Sequence, residues 1–224
     1  MERHFHEELK ELKQELLKMG LLVEAAIEKS IDALLHRNRN FAQQVIEEER
    51  MINQLELAID DKGHSLSALG QPVAVDLRVL TAILKINTDL ERMGDHAVNI
   101  AERALALLKE FQLNETDLRL PDMAQATLQM VTDALNSFVT GDVGLARNVL
   151  QYDDEIDAFN DELYFQVTLS MQKKPSLIRA GINLIMIGHN LERIADLANN
   201  IAEDVVYMKQ GKEVRHHVET AESP

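Results

Sequence analysis

The chain has 224 residues, 46% of them hydrophobic and only 4% aromatic, with a formal charge of −15 at pH 7 and no cysteine. That length and apolar content supply a core and exclude a disordered chain, while the negative charge repels a phosphate backbone and argues against direct nucleic-acid binding. Lacking cysteine, the protein has no disulfide, no thiolate metal site and no cysteine nucleophile, and its charge points to cations and basic protein surfaces as partners.

Glycine and proline are sparse, and Leu, Ala, Ile, Glu and Lys dominate, residues that lose little rotamer freedom in a helix. The sequence therefore predicts an all-α protein. Apolar residues recur every three or four positions through Leu9, Leu12, Leu16, Leu17, Met19, Leu22, Ala25 and Ile27, so a first helix ends near Leu35, before the polar HRNRN. A second runs from Phe41 to Leu69 and stops at Gly70-Gln71-Pro72, where proline cannot continue it. A third spans Asp76 to Glu110. After the loop FQLNETDLRLPD, Pro121 suits the start of a fourth helix that ends near Gly141. The fifth covers Val143 to Met171, and the sixth Ser176 to Met208. The expected organisation is a three-helix unit over residues 1–112, a second over 113–210, and a frayed polar tail over 211–224.

The third and sixth helices align without gaps at an offset of 101 residues, pairing Arg78 with Arg179, Ile86 with Ile187 and Leu90 with Leu191. Val45, Glu49 and Ile52 correspond to Val149, Asp153 and Ile156. The chain is an internal duplication, and long helices with short connections pack as up-down bundles. Two three-helix bundles related by a pseudo-two-fold axis follow.

The duplication repeats a pair of acids. LERMGDHAVNIAE, from Leu90, and LERIADLANNIAE, from Leu191, are identical at nine of thirteen positions. Residues four apart share a helical face, so Glu91 projects with Asp95 and Glu192 with Asp196. The preceding helices offer Glu49 with Asn53, and Asp153 with Asp157, at the same spacing. In an antiparallel hairpin, residues equidistant from the turn lie at one height, because both helices rise equally per residue. Glu49/Asn53 and Glu91/Asp95 are equidistant from Pro72; Asp153/Asp157 and Glu192/Asp196 are equidistant from the Lys174–Pro175 boundary. Each half should bring its oxygen ligands to one level. Such a cluster suits hard cations, and Asn99 and Asn200, one turn further along, can add an oxygen or fix a carboxylate. Arg92 and Arg193 can also pair with the acids. His189, on the acidic face, is replaced by Thr88 in the first half; His96 is replaced by Leu197 in the second, which argues for packing. His4, His6, His216 and His217 read as incidental.

These residues resemble the PhoU family of bacterial phosphate-signalling proteins, on the evidence of the tandem duplication, PVAVDLRVLTAILKINTDLERMGDHAVNIAE in the first half and RAGINLIMIGHNLERIADLANNIAE in the second. The resemblance covers residues 5 to 208. It implies a cytoplasmic regulator that represses the phosphate-starvation response, linking the ATPase subunit of a phosphate ABC transporter to a phosphate-sensing histidine kinase and reaching the membrane only through those partners. It also implies multinuclear metal clusters, iron foremost, with Mg, Mn, Ca or Zn as alternatives, carried by Glu91 with Asp95, Glu192 with Asp196, and Asp153 with Asp157. Asn53 departs from that pattern and points to weaker metal binding in the first half. A homodimer is expected from exposed apolar helix faces.

Two other readings compete. A ferritin-like di-metal oxidase uses Glu-x-x-His motifs on core helices, and here that spacing occurs only from Glu213 to His216 in the tail. A metal-free helical scaffold would leave the acids solvated. There is no phosphate-binding glycine-rich loop and no Ser/His/Asp arrangement, so a non-enzymatic protein is expected. MERHFHEELK has no signal-peptide apolar stretch, and the longest apolar run, Gly181 to Gly188, cannot span a bilayer; both readings favour the cytoplasm.

Overall fold

The computed structural model describes residues 2–69, 73–108 and 118–212. Seven α-helices account for these: α1 (Glu2–Leu35), α2 (Arg39–Leu69), α3 (Ala74–Leu107), α4 (Leu120–Thr140), α5 (Val143–Gln151), α6 (Asp153–Lys173) and α7 (Ile178–Gln210). Among the described residues there is no strand, and no helix is long and apolar enough to cross a membrane. The expected turn at Gly70–Pro72, most of the central loop and the tail beyond residue 212, with His216 and His217, lie outside the described residues.

The helix ends follow local chemistry. Asn38 Oδ1 accepts hydrogen bonds from the backbone N–H groups of Asn40 (3.0 Å) and Phe41 (3.4 Å), capping α2. Pro121 occupies the first turn of α4, and Gly141 closes that helix with a left-handed φ of 66°. Asp142 then caps α5 by accepting from Gly144 and Leu145. His4 and His6 belong to the ordered first turns of α1, where they approach Glu8 (3.4 Å) and Asp76 (3.7 Å).

The single fifth helix expected over Val143–Met171 is two helices. The chain bends at Tyr152, whose N–H bonds back only to Val149. Asp153, Asp154 and Glu155 follow in the first turn of α6, where three carboxylates meet the positive end of a helix dipole. Val149 and Ile156, seven residues apart and both buried, keep apolar periodicity intact across the break, so periodicity alone cannot reveal it. A 3₁₀ turn at Pro175–Leu177 likewise delays α7 to Ile178.

α1, α2 and α3 form one bundle, α4 to α7 the other, and α3 packs extensively on α7. Contacts joining Arg78 to the Met208 carbonyl, Lys85 to Asp204 and His96 to Asn190 rise along one helix as they fall along the other, so the pair is antiparallel. Met93 and Ile194, equivalent under the duplication, are both fully buried, and one continuous apolar core runs through both bundles.

Within the second bundle, α7 packs tightly on α6 at Gly188, where a Cβ would come within 2.4 Å of Leu163 Cδ2 and 2.9 Å of Asn160 Oδ1. Gly188→Ala is expected to lower stability by about 1–3 kcal/mol through overpacking, read as a reduced urea midpoint at unchanged m-value. Gly94→Ala, whose new Cβ meets the Ile52 Cδ1 tip at 3.2 Å, should stay near neutral because alanine gains about 1 kcal/mol in helix propensity.

Candidate metal centre

The hairpin register expected from the sequence places the acids as follows. In the first bundle, Glu49 of α2 and Asp95 of α3, equidistant from residue 72, lie close enough for their carboxyl groups to interact. The pKa of Glu49 is raised, chiefly by burial, then by the neighbouring Asp95 carboxyl, with Glu102 adding to the repulsion. Glu91 is raised by burial and by Asp95, Glu56 and Glu49, against the opposing pull of Arg92. Asn53, one turn along α2, has a buried Oδ1 with no hydrogen-bond partner. Asn99 is exposed.

In the second bundle, burial and the charges of Asp153 and Glu192 raise Asp157. Burial also raises Asp196; Arg193, whose Nη1 donates to Asp196 Oδ2 at 2.9 Å, pulls the other way, and Asp153, Glu192 and Asp157 push it up again. Asn199 Nδ2 donates to Asp153 Oδ1 at 2.6 Å, leaving Asn199 Oδ1 buried without a partner. Asn160 Nδ2 (3.2 Å) and His189 Nδ1 (3.1 Å) both reach Glu192 Oε2. Asp153, Asp196, Asn199 and Asn200 share a cleft of about 360 Å³ with Arg92 and His96 from the first half.

Glu56, Asn160 and Asn199 were absent from the sequence-derived set. The first two carried a readable signal: Glu49, Asn53 and Glu56 follow i, i+4, i+7, and Asp153, Asp157 and Asn160 repeat it. α2 contributes acid, amide, acid; α6 contributes acid, acid, amide. Glu56 thus supplies the carboxylate that Asn53 lacks, and each half musters four. Asn199, adjacent to the expected Asn200, had no such signal. His96 is no simple packing residue, since its Nδ1 donates across the bundles to Asn190 Oδ1 at 2.8 Å.

As donors, carboxylate and amide oxygens fit hard cations, and the orphaned oxygens of Asn53 and Asn199 are the acceptors a cation would satisfy. The acids stand in pairs: among the described residues, no three His, Asp or Glu side chains already converge at metal-binding spacing.

A carboxyl whose pKa is higher in the folded state favours that state while protonated. The contribution is complete below the ordinary value, 4.5 for Glu and 3.8 for Asp, and is lost as pH rises through the raised folded value. In metal-free protein, wild-type stability relative to a Glu49→Gln/Asp196→Asn variant should therefore increase as pH falls from about 7 towards about 4, near the ordinary carboxyl values. Urea midpoints across that range check it; a flat difference would show that the carboxyls do not repel one another in the folded state.

The family model described as "PhoU domain" matches residues 16–104 and 120–205. The phosphate-specific transport system accessory protein PhoU homolog 1 of Thermotoga maritima is 35% identical over 98% of this chain and 95% of its own length. A PhoU homolog of the same description from Aquifex aeolicus is 38% identical over 93% and 94%. The crystal structure of PhoU from Pseudomonas aeruginosa superposes with a TM-score of 0.89 at 36% identity, covering 93% of this chain and all of that one.

Proposed function

The chain belongs to the PhoU domain family, and from that premise we propose that it regulates phosphate uptake as an accessory of a phosphate-specific transport system, with metal held in its two carboxylate clusters. In this reading it restrains both the transporter's ATPase subunit and a phosphate-sensing histidine kinase when phosphate is plentiful. The observation that supports the metal component is the pairing, in each bundle, of carboxyls with raised pKa values and a buried amide oxygen lacking a partner.

Glu49, Glu56, Glu91 and Asp95, with Asn53, would hold metal in the first bundle; Asp153, Asp157, Glu192 and Asp196, with Asn199, would hold it in the second. A bound cation would supply positive charge that offsets the mutual repulsion of these carboxyls. The protein's own contribution is positional: α2 and α3, or α6 and α7, present acids at one height, and Asn160 and His189 hold Glu192 by hydrogen bonds. The role is that of a regulator that transmits a state to its partners and carries out no chemistry of its own.

Elemental analysis of purified protein after removal of loosely bound ions is expected to find stoichiometric metal in the wild type and reduced metal in Glu192→Gln/Asp196→Asn. Metal-free wild type would overturn the metal component alone. In a host lacking its own PhoU, the wild-type gene should restore phosphate-dependent repression of uptake; a fully expressed protein that leaves repression absent would count against the regulatory role.

A further inference from the structure

The second bundle contains a cleft on a different face of α6 from Asp153 and Asp157. In the first bundle α1 lies along α2 in extensive contact and is tied to it by ion pairs from Lys62 to Glu15 and from Lys29 to Glu48. α4 and α6 meet only sparsely. Between them Arg119, Asp122, Gln129, Tyr152, Glu155 and Phe159 line a cavity of about 360 Å³. The helix break bears on this space, because Tyr152, at the break, lines the cleft and is 48% exposed.

One guanidinium already occupies the cleft, and it is the protein's own. Arg119 lies 4.8 Å over the Phe159 ring and donates from Nε to Asp122 Oδ2 at 2.9 Å, with the charges of Glu162 and Glu155 acting on it. An aromatic face below and carboxylates at the rim match a planar guanidinium better than a compact ammonium, because only the former can stack and bond in one plane. Arg119 reaches this place with a left-handed φ of 53°, a region uncommon for residues other than glycine. Its side chain is also half exposed among the described residues, which leaves it open to exchange with another cation. Asp122 and Glu155 act on this guanidinium and Asp133, held by Gln129, adds a third carboxylate to the lining, on a chain whose net charge of −15 favours basic partners.

We propose that the cleft between α4 and α6 docks an arginine side chain from a basic segment of a partner protein, and that Arg119 is the internal guanidinium that this segment displaces. The site uses a different face of α6 from the carboxylate cluster. Displacement makes Arg119 a built-in competitor, so its removal should strengthen binding, the opposite of what loss of a structural cation would do.

The test is fluorescence anisotropy on the full chain with a labelled nonapeptide bearing one central arginine, beside the same peptide with lysine. Arg119→Ala is expected to tighten the arginine peptide by about fivefold or more, as removing a competing internal state does. Glu155→Gln, an exposed change that spares the fold, should weaken it. Phe159→Leu, which keeps apolar bulk, should erase the preference for arginine over lysine. Equal binding by wild type and Arg119→Ala would overturn the proposal, as would equal affinity for the two peptides, which is the behaviour of a generally acidic surface. Saturable binding of guanidinium chloride with no affinity for the peptide would identify a small-cation site and overturn the partner assignment.

Discussion

The antiparallel packing of α3 against α7 is the constraint on which the rest of the molecule depends. No helix is longer than α3 in the first half or than α7 in the second, and each carries one copy of the repeated acidic motif. Their seam mixes an apolar centre, at Met93 and Ile194, with polar ties at Lys85–Asp204 and His96–Asn190. Apolar burial supplies cohesion without direction, whereas hydrogen bonds and charge pairs fix register, because a slip of one turn would separate buried Asp204 from Lys85. The other helices are hairpin partners added to this spine, and their heights follow from it.

That rigid frame explains why the carboxyls sit so close together. A flexible loop would let like charges separate; two helices locked by Ile52 against Gly94, or Leu163 against Gly188, cannot move apart without opening the core. The repulsion is therefore held in place, appearing as protons retained above the ordinary carboxyl range and as amide oxygens left without donors. Stability is spent locally where the surrounding packing is dense, a common relation between strained polar sites and the scaffold that supports them.

Much of this was legible in the residues. The duplication gives the bundle pair, and equal rise per residue gives the level at which Glu49 meets Asp95 and Asp153 approaches Asp196, since hairpin register depends on counting alone. What escaped were features that counting does not govern. The bend at Tyr152 arises from three acids seeking a helix N-terminus while the apolar pattern continues undisturbed. The bond from Asn199 to Asp153 depends on side-chain rotation around a helix, and the His96–Asn190 contact on how two bundles dock, neither of which a single helical face encodes.

The exchange of acid and amide between the two halves has a consequence for how such a chain can change over time. Asn53 stands where Asp157 does, and Asn160 where Glu56 does, so the total is preserved although the positions are not. A lost carboxylate is tolerable when a neighbour one turn away gains one, and ruinous to the local charge balance when it does not. Mutational drift in each half should then proceed in correlated pairs along a helical stripe, and a comparison that scores positions singly would see variability at a place where the summed charge is the quantity under selection.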